Sequence, residues 1–128
     1  MNVDLVVSMQ GTHLIGELHE CDVAGALMND AEALKKFVIA EVRRTGLTVL
    51  GNYFHQFEPC GVTGAVVLAE SHVTLHTWPE AGYVALDVFV CNYTADNSDK
   101  AHRLYQSLVN CFKPKRVMHK ALGRGNND

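Results

Sequence analysis

A serine, two histidines, two carboxylates and a cysteine crowd into one short stretch, as Ser71, His72, His76, Glu80, Asp87 and Cys91. Side chains alternate across a strand, so on a strand from Ser71 to Trp78 the residues His72, Thr74, His76 and Trp78 share one face. On a strand from Tyr83 to Cys91, Tyr83, Ala85, Asp87, Phe89 and Cys91 share a face, and Val84, Leu86, Val88 and Val90 make the other wholly apolar. The link Pro79 to Gly82 is short enough to close the two strands into an antiparallel hairpin, which could bring His76 and Cys91 onto neighbouring parts of one sheet. Three readings compete. Satisfied sheet histidines and a core cysteine would do no chemistry at all. A metal site from His72, His76 and Asp87 or Glu80 meets a geometric obstacle, because strand residues four apart stand about 13 Å from each other. Bonds to one ion are only about 2 Å long. Covalent chemistry built on Ser71, His76 and Cys91 is the third reading, and the surrounding string decides for it.

Those residues need a sheet to hold them, and the rest of the chain supplies one. Thr12 to Glu20 reads as a first strand. Asn29 or Asp30 can cap a helix over Ala31 to Thr45, with Glu32 in its first turn, Arg43 and Arg44 in its last, and Gly46 just beyond. Its apolar stripe is Leu34, Phe37, Val38 and Val42. Strands follow over Leu47 to Phe57, Gly61 to Glu70, Ser71 to Trp78 and Tyr83 to Cys91. Ser98 can cap a second helix from Asp99 to Phe112, with Ala101, Leu104, Tyr105, Leu108 and Phe112 on one side. Pro114 to Leu122 suits a last strand. Short turns between strands, with two amphipathic helices set apart, give an α+β fold: a two-layer α/β sandwich whose antiparallel-rich sheet carries both helices on one face. The other face must be solvated or meet a partner.

The whole chain, 128 residues, reads as a single domain. Hydrophobic residues make up 48% and charged residues 20%, which excludes a disordered chain. A net charge of −3 with no basic patch argues against a nucleic-acid binder. The start lacks a basic n-region and a long apolar run, so no signal peptide is expected. No apolar stretch reaches the length of a membrane span, and a cytoplasmic location follows as the expectation. Cys21, Cys60, Cys91 and Cys111 form no CxxC pair and no zinc-finger spacing. Reduced, mostly core thiols are expected of them.

The string Glu70-Ser-His-Val-Thr-Leu-His-Thr-Trp-Pro-Glu80, continued to Cys91, closely resembles the prokaryotic S-adenosylmethionine decarboxylase family of self-cleaving, pyruvoyl-dependent proenzymes. Gly11 to Asp22 is similar to the opening strand of that family, and Tyr53 to Phe57 with Pro59 to Gly64 to its central segment. The resemblance runs over roughly residues 11 to 95 and fades after Arg116. It implies that the Ser71 hydroxyl attacks the carbonyl of Glu70, and that an acyl shift and β-elimination split the chain into 1–70 and 71–128. Ser71 then becomes a pyruvoyl group that forms a Schiff base with substrate, with no PLP and no metal. By the same resemblance His76 is the processing histidine, Cys91 the proton donor, and Thr63, a serine in relatives, a processing aid. Phe57 matches a ring that stacks on adenine, Glu80 matches a glutamate that holds the ribose hydroxyls, and Trp78 is a neighbouring wall. The implied partner is a second copy, in a homodimer of cleaved protomers or a larger assembly.

The function so implied is conversion of S-adenosylmethionine to its decarboxylated form for spermidine synthesis. Two rivals stand beside it: the same machinery acting on ornithine or arginine, and an uncleaved, non-catalytic paralogue serving as a binding or regulatory subunit. Retention of Ser71, His76 and Cys91 together argues against the second. His13, His19, His102 and His119 are left as ordinary strand and helix histidines.

Overall fold

Alternating apolar residues on six strands build one antiparallel sheet in the computed structural model, which describes residues 11–92 and 96–125. The elements run β1 (Gly11–His19), α1 (Ala31–Arg44), β2 (Val49–Gln56), β3 (Val62–Leu68), β4 (Ser71–Trp78), β5 (Tyr83–Cys91), α2 (Ser98–Cys111) and β6 (Arg116–Arg124). Short 3-10 turns at Ala26–Met28 and Pro79–Ala81 complete the described order. Across the sheet the order is β2-β3-β4-β5-β1-β6. Hairpins make β2 to β5 neighbours in sequence order, and β1 inserts between β5 and β6.

Both helices lie on one face, as the sequence predicts. α1 packs on β2 and β3, and α2 on β1 and β5. Leu34, Val38 and Val42 of α1 meet Leu104, Leu108 and Phe112 and the inward residues Val66, Val73, Leu75, Leu86 and Val88 in one buried core. Burying each such side chain contributes roughly 1.5–3 kcal/mol, so this layer is the main source of stability. Asp30 caps α1 as expected, its carboxylate accepting from the Glu32 and Ala33 amides at 3.0 and 3.1 Å. Gly46 follows at φ 89°, the left-handed conformation that glycine takes without strain. Ser98 does not cap α2. It is the first helical residue, and Asn97 precedes it without a side-chain cap bond. The last strand also sits later than the predicted Pro114 to Leu122, because its register on β1 runs from Arg116 opposite His19 to Arg124 opposite Gly11.

The second face is open. It carries Tyr53, Val67, Trp78, Met118 and Leu122, all exposed, beside the polar residues Thr63, His76 and Asp87. These apolar side chains lie on the face that the two helices leave uncovered.

Candidate active site

The open face holds one group of candidate residues at its β3–β4 end. Thr63 pairs with His76 across the two strands, and their side chains meet with Thr63 Oγ1 2.9 Å from His76 Nδ1. With the ring proton on Nδ1, the imidazole donates to the hydroxyl oxygen and keeps Nε2 free as a base. The β2–β3 connection folds back beside this pair. Gly61, at φ 104°, permits that bend, and its carbonyl accepts from the Phe57 amide at 2.8 Å. A cavity of about 320 Å³ results, lined among others by Phe57, Cys60, Thr63, His76, Trp78 and Glu80. That volume is at the small end for a ligand pocket. Phe57 and Trp78 are 46% and 40% exposed, so neither is a core residue. Trp78 stacks on Tyr83 with ring centroids 5.2 Å apart. All three residues expected to hold substrate therefore share a cavity with both residues expected to assist cleavage.

Ser71 and Cys91 lie elsewhere. Ser71 is buried at the start of β4, and its Oγ accepts a hydrogen bond of 2.9 Å from the Cys91 amide. The turn before it, Ala69-Glu70, joins Leu68 to its register partner Ser71. Within that turn Glu70 holds φ 65°, a left-handed conformation that costs a non-glycine residue of the order of 1–2 kcal/mol. Strain thus sits on the residue whose carbonyl Ser71 would attack.

The expectation that the β4–β5 hairpin brings His76 and Cys91 onto neighbouring parts of the sheet does not hold within one protomer. His76 pairs with Ala85, and Cys91 lies six residues further along β5, about 20 Å away. Ser71 is five residues from His76 along β4, about 16 Å, and points with Val73 and Leu75 to the helix side. The reason is register. A tight hairpin sets its two open ends beside each other but a full strand length from its turn, and Ser71 with Cys91 occupies the open end while His76 lies near the turn.

His13, read from sequence as an ordinary strand residue, puts Nε2 3.1 Å from Asp87 Oδ1 at the centre of the open face. The shared parity of Asp87 with Cys91 was its only sequence signal. Cys60 was also missed; its thiol points at Glu80 Oε1 from 3.8 Å. Burial raises Cys21 to about 11, and burial with the Glu41 carboxylate raises Cys111 to about 12, so both are inert packing thiols as expected. Among the described residues no three metal-ligating side chains converge, and no helix is long and apolar enough to cross a membrane.

Similarity to known proteins extends over most of the chain. The pattern that describes the S-adenosylmethionine decarboxylase family matches residues 12–125. The S-adenosylmethionine decarboxylase proenzyme of Archaeoglobus fulgidus is 40% identical over 115 residues, covering 90% of this chain and 97% of that one. The proenzyme of Prochlorococcus marinus is 49% identical over 83 residues, a match that spans 65% of each chain. In structure the chain superposes on the adenosylmethionine decarboxylase of Aquifex aeolicus with a TM-score of 0.83 at 29% identity, over 94% of both chains.

Proposed function

Because the chain belongs to the S-adenosylmethionine decarboxylase family, we propose that it cuts itself between Glu70 and Ser71 and then decarboxylates S-adenosylmethionine. The observation that carries this reading is the Glu70–Ser71 junction, where a strained residue precedes a serine whose hydroxyl is held in place. Ser71 Oγ adds to the Glu70 carbonyl carbon, the C–N bond breaks, and an ester with a free Ser71 amine remains. Loss of the Ser71 Cα proton then expels the Glu70 carboxylate as the new C-terminus of residues 1–70. Tautomerisation and addition of water release ammonia. The three carbons of Ser71 become a pyruvoyl group at the head of residues 71–128.

The junction fits such a group, since the serine lies at a strand start with its oxygen fixed by the Cys91 amide. When present, the group supplies an electron sink for the electron pair left by CO2. The chain's own residues do the rest. The Cys91 thiol delivers a proton to the substrate Cα. Phe57 and Trp78 offer faces to adenine and to the sulfonium cation. Glu80 accepts hydrogen bonds from the ribose hydroxyls. A two-fold pair of protomers, its strands running in opposite senses, sets the Ser71–Cys91 end of one against the Thr63–His76 cavity of the other, and the exposed apolar side chains of the open face support this contact. The working unit is therefore a dimer or a multiple of one. Its setting is the cytoplasm, where four cysteines that form no disulfide stay reduced.

Intact mass under denaturing conditions, together with CO2 release from carboxyl-labelled S-adenosylmethionine, ornithine and arginine, tests this reading. Two fragments and fastest release from S-adenosylmethionine are expected. An active but unbroken chain, or faster release from either amino acid, would overturn it.

A further inference from the structure

The β4–β5 ladder stops one step short of the proposed cut. Its described register ends with His72 opposite Phe89, and two residues further on Cys91 would stand opposite Glu70. Glu70, at φ 65°, lies in the turn and outside the strand. The N–H and C=O of a strand residue point to the same side, so Cys91 directs both toward the place that Glu70 leaves. Side chains take that place. The Cys91 amide donates to Ser71 Oγ at 2.9 Å, and the Cys91 carbonyl accepts from Asn97 Nδ2 at 3.0 Å.

Asn97 gives up a helix cap to make this contact. It stands at the N-cap of α2, where an asparagine side chain ordinarily accepts from the second or third helical amide, yet it makes no such bond. Its backbone is pinned on both sides. The amide donates to Asn92 Oδ1 at 2.8 Å, and the carbonyl accepts from the Ala101 amide at 2.9 Å. The first helical amide, that of Ser98, is accepted by the Asp96 carboxylate at 3.0 Å instead. A local rule of helix starts is thus broken at the place where the diverted side chain reaches the residue that carries the proposed proton donor.

We propose that Asn97 is a positioning residue for both steps of the reaction, an inference that rests on the self-cleaving reading above. With its amide and its carbonyl both engaged, Cys91 keeps one backbone conformation. Its amide therefore stays on Ser71 Oγ during attack on Glu70, and its side chain keeps one direction for delivery of the proton. Elimination carries the Ser71 oxygen away with the Glu70 carboxylate. The Asn97 contact outlasts that step and still holds Cys91 in the cut chain.

The rate of self-cleavage by intact mass, with kcat and KM for S-adenosylmethionine on cut protein, tests the proposal in Asn97→Asp, Asn97→Ser and Asp96→Ala. Aspartate and serine are both favoured caps, so the thermal midpoint should stay near that of the wild type. Aspartate has no donor for the Cys91 carbonyl, and the serine hydroxyl is too short to reach it. Each should slow cleavage about tenfold or more and lower kcat by a similar factor, with KM within about twofold. Asp96→Ala loosens the helix start without touching Cys91, so it should lower the thermal midpoint and leave both rates near wild type. Wild-type cleavage or wild-type turnover in the folded Asn97 variants, or an equal loss in Asp96→Ala, would overturn the proposal. A wild-type chain that neither cuts itself nor decarboxylates would instead overturn the reading on which it rests.

Discussion

Ser71 and His76 lie on one strand, five residues and about 16 Å apart, with their side chains on opposite faces of the sheet. On the proposed dimer, a reaction that needs both draws them from two copies of the chain. His76→Ala and Cys91→Ala proteins should each be nearly inactive alone. Mixed during refolding, they should regain activity, because half the dimers are hybrid and each hybrid holds one intact site, about a quarter of the wild-type sites. Turnover of the mixture checks this, and no recovery in verified hybrids would place the site within one protomer.

Strain at Glu70 can be relieved without touching the nucleophile. Glu70→Gly accepts φ 65° at little cost, and in a Ser71→Ala background, which should stay whole, it should raise stability by about 0.5–1 kcal/mol. With Ser71 restored, the same change should slow self-cleavage. Denaturant unfolding and a time course of intact mass read the two effects.

Thr63 and His76 form one hydrogen-bonded unit, so cleavage should fall when either loses its polar atom. Thr63→Val keeps shape but removes the hydroxyl and should slow cleavage about 10²-fold, whereas Thr63→Ser should restore it. Cys91→Ala should lose turnover more than cleavage. Near-normal turnover in fully cleaved Cys91→Ala would remove the proton-donor assignment.

Glu80 and Phe57 share the cavity with that pair. Glu80→Gln should raise KM for S-adenosylmethionine about tenfold with little change in kcat, the pattern of a contact equal in ground and transition states. Steady-state kinetics on cleaved protein decides the point.

Burial, then the neighbouring His13, lowers the pKa of His72; Asp87 opposes this and Arg124 adds to it. The unfolded chain takes up this proton near the usual value of about 6.5, and the folded chain only below it. Stability from this group is therefore full above that value and is lost as pH falls toward the folded value. The thermal midpoint should drop on acidification from about pH 7.5 to about 5.5, and His72→Asn should flatten that drop. An unchanged slope would mean that other groups carry the acid sensitivity.

The layer order was legible because Val84 to Val90 and the α1 and α2 stripes declare which side is dry. Ser98 misled because a serine before an amphipathic run resembles a cap whether it stands outside the helix or begins it. Phe57, Thr63, Trp78 and Glu80 were singled out only through the family resemblance, because alternation along a strand does not show that residues on separate connections line one cavity. What alternation along a strand does not encode is distance along it. That is why His76 and Cys91 looked close and are not, and why the His13–Asp87 contact, set by the long-range register of β1 on β5, was invisible.

The proposed cleavage after residue 70 would leave β1, β2 and β3 in one fragment and β4, β5 and β6 in the other, yet the sheet alternates between them: β3 beside β4, then β5, β1 and β6. The two pieces are interlaced across three ladders, with the first strand clasped between two strands of the other piece. Nicking therefore changes what holds the molecule together while leaving its shape intact. A chain cut there should melt by dissociation, its melting point rising with protein concentration while that of the uncut chain's own fold does not. Once the halves have parted, the pyruvoyl end cannot be rejoined to residue 70, and maturation becomes a one-way commitment to the partner made at synthesis.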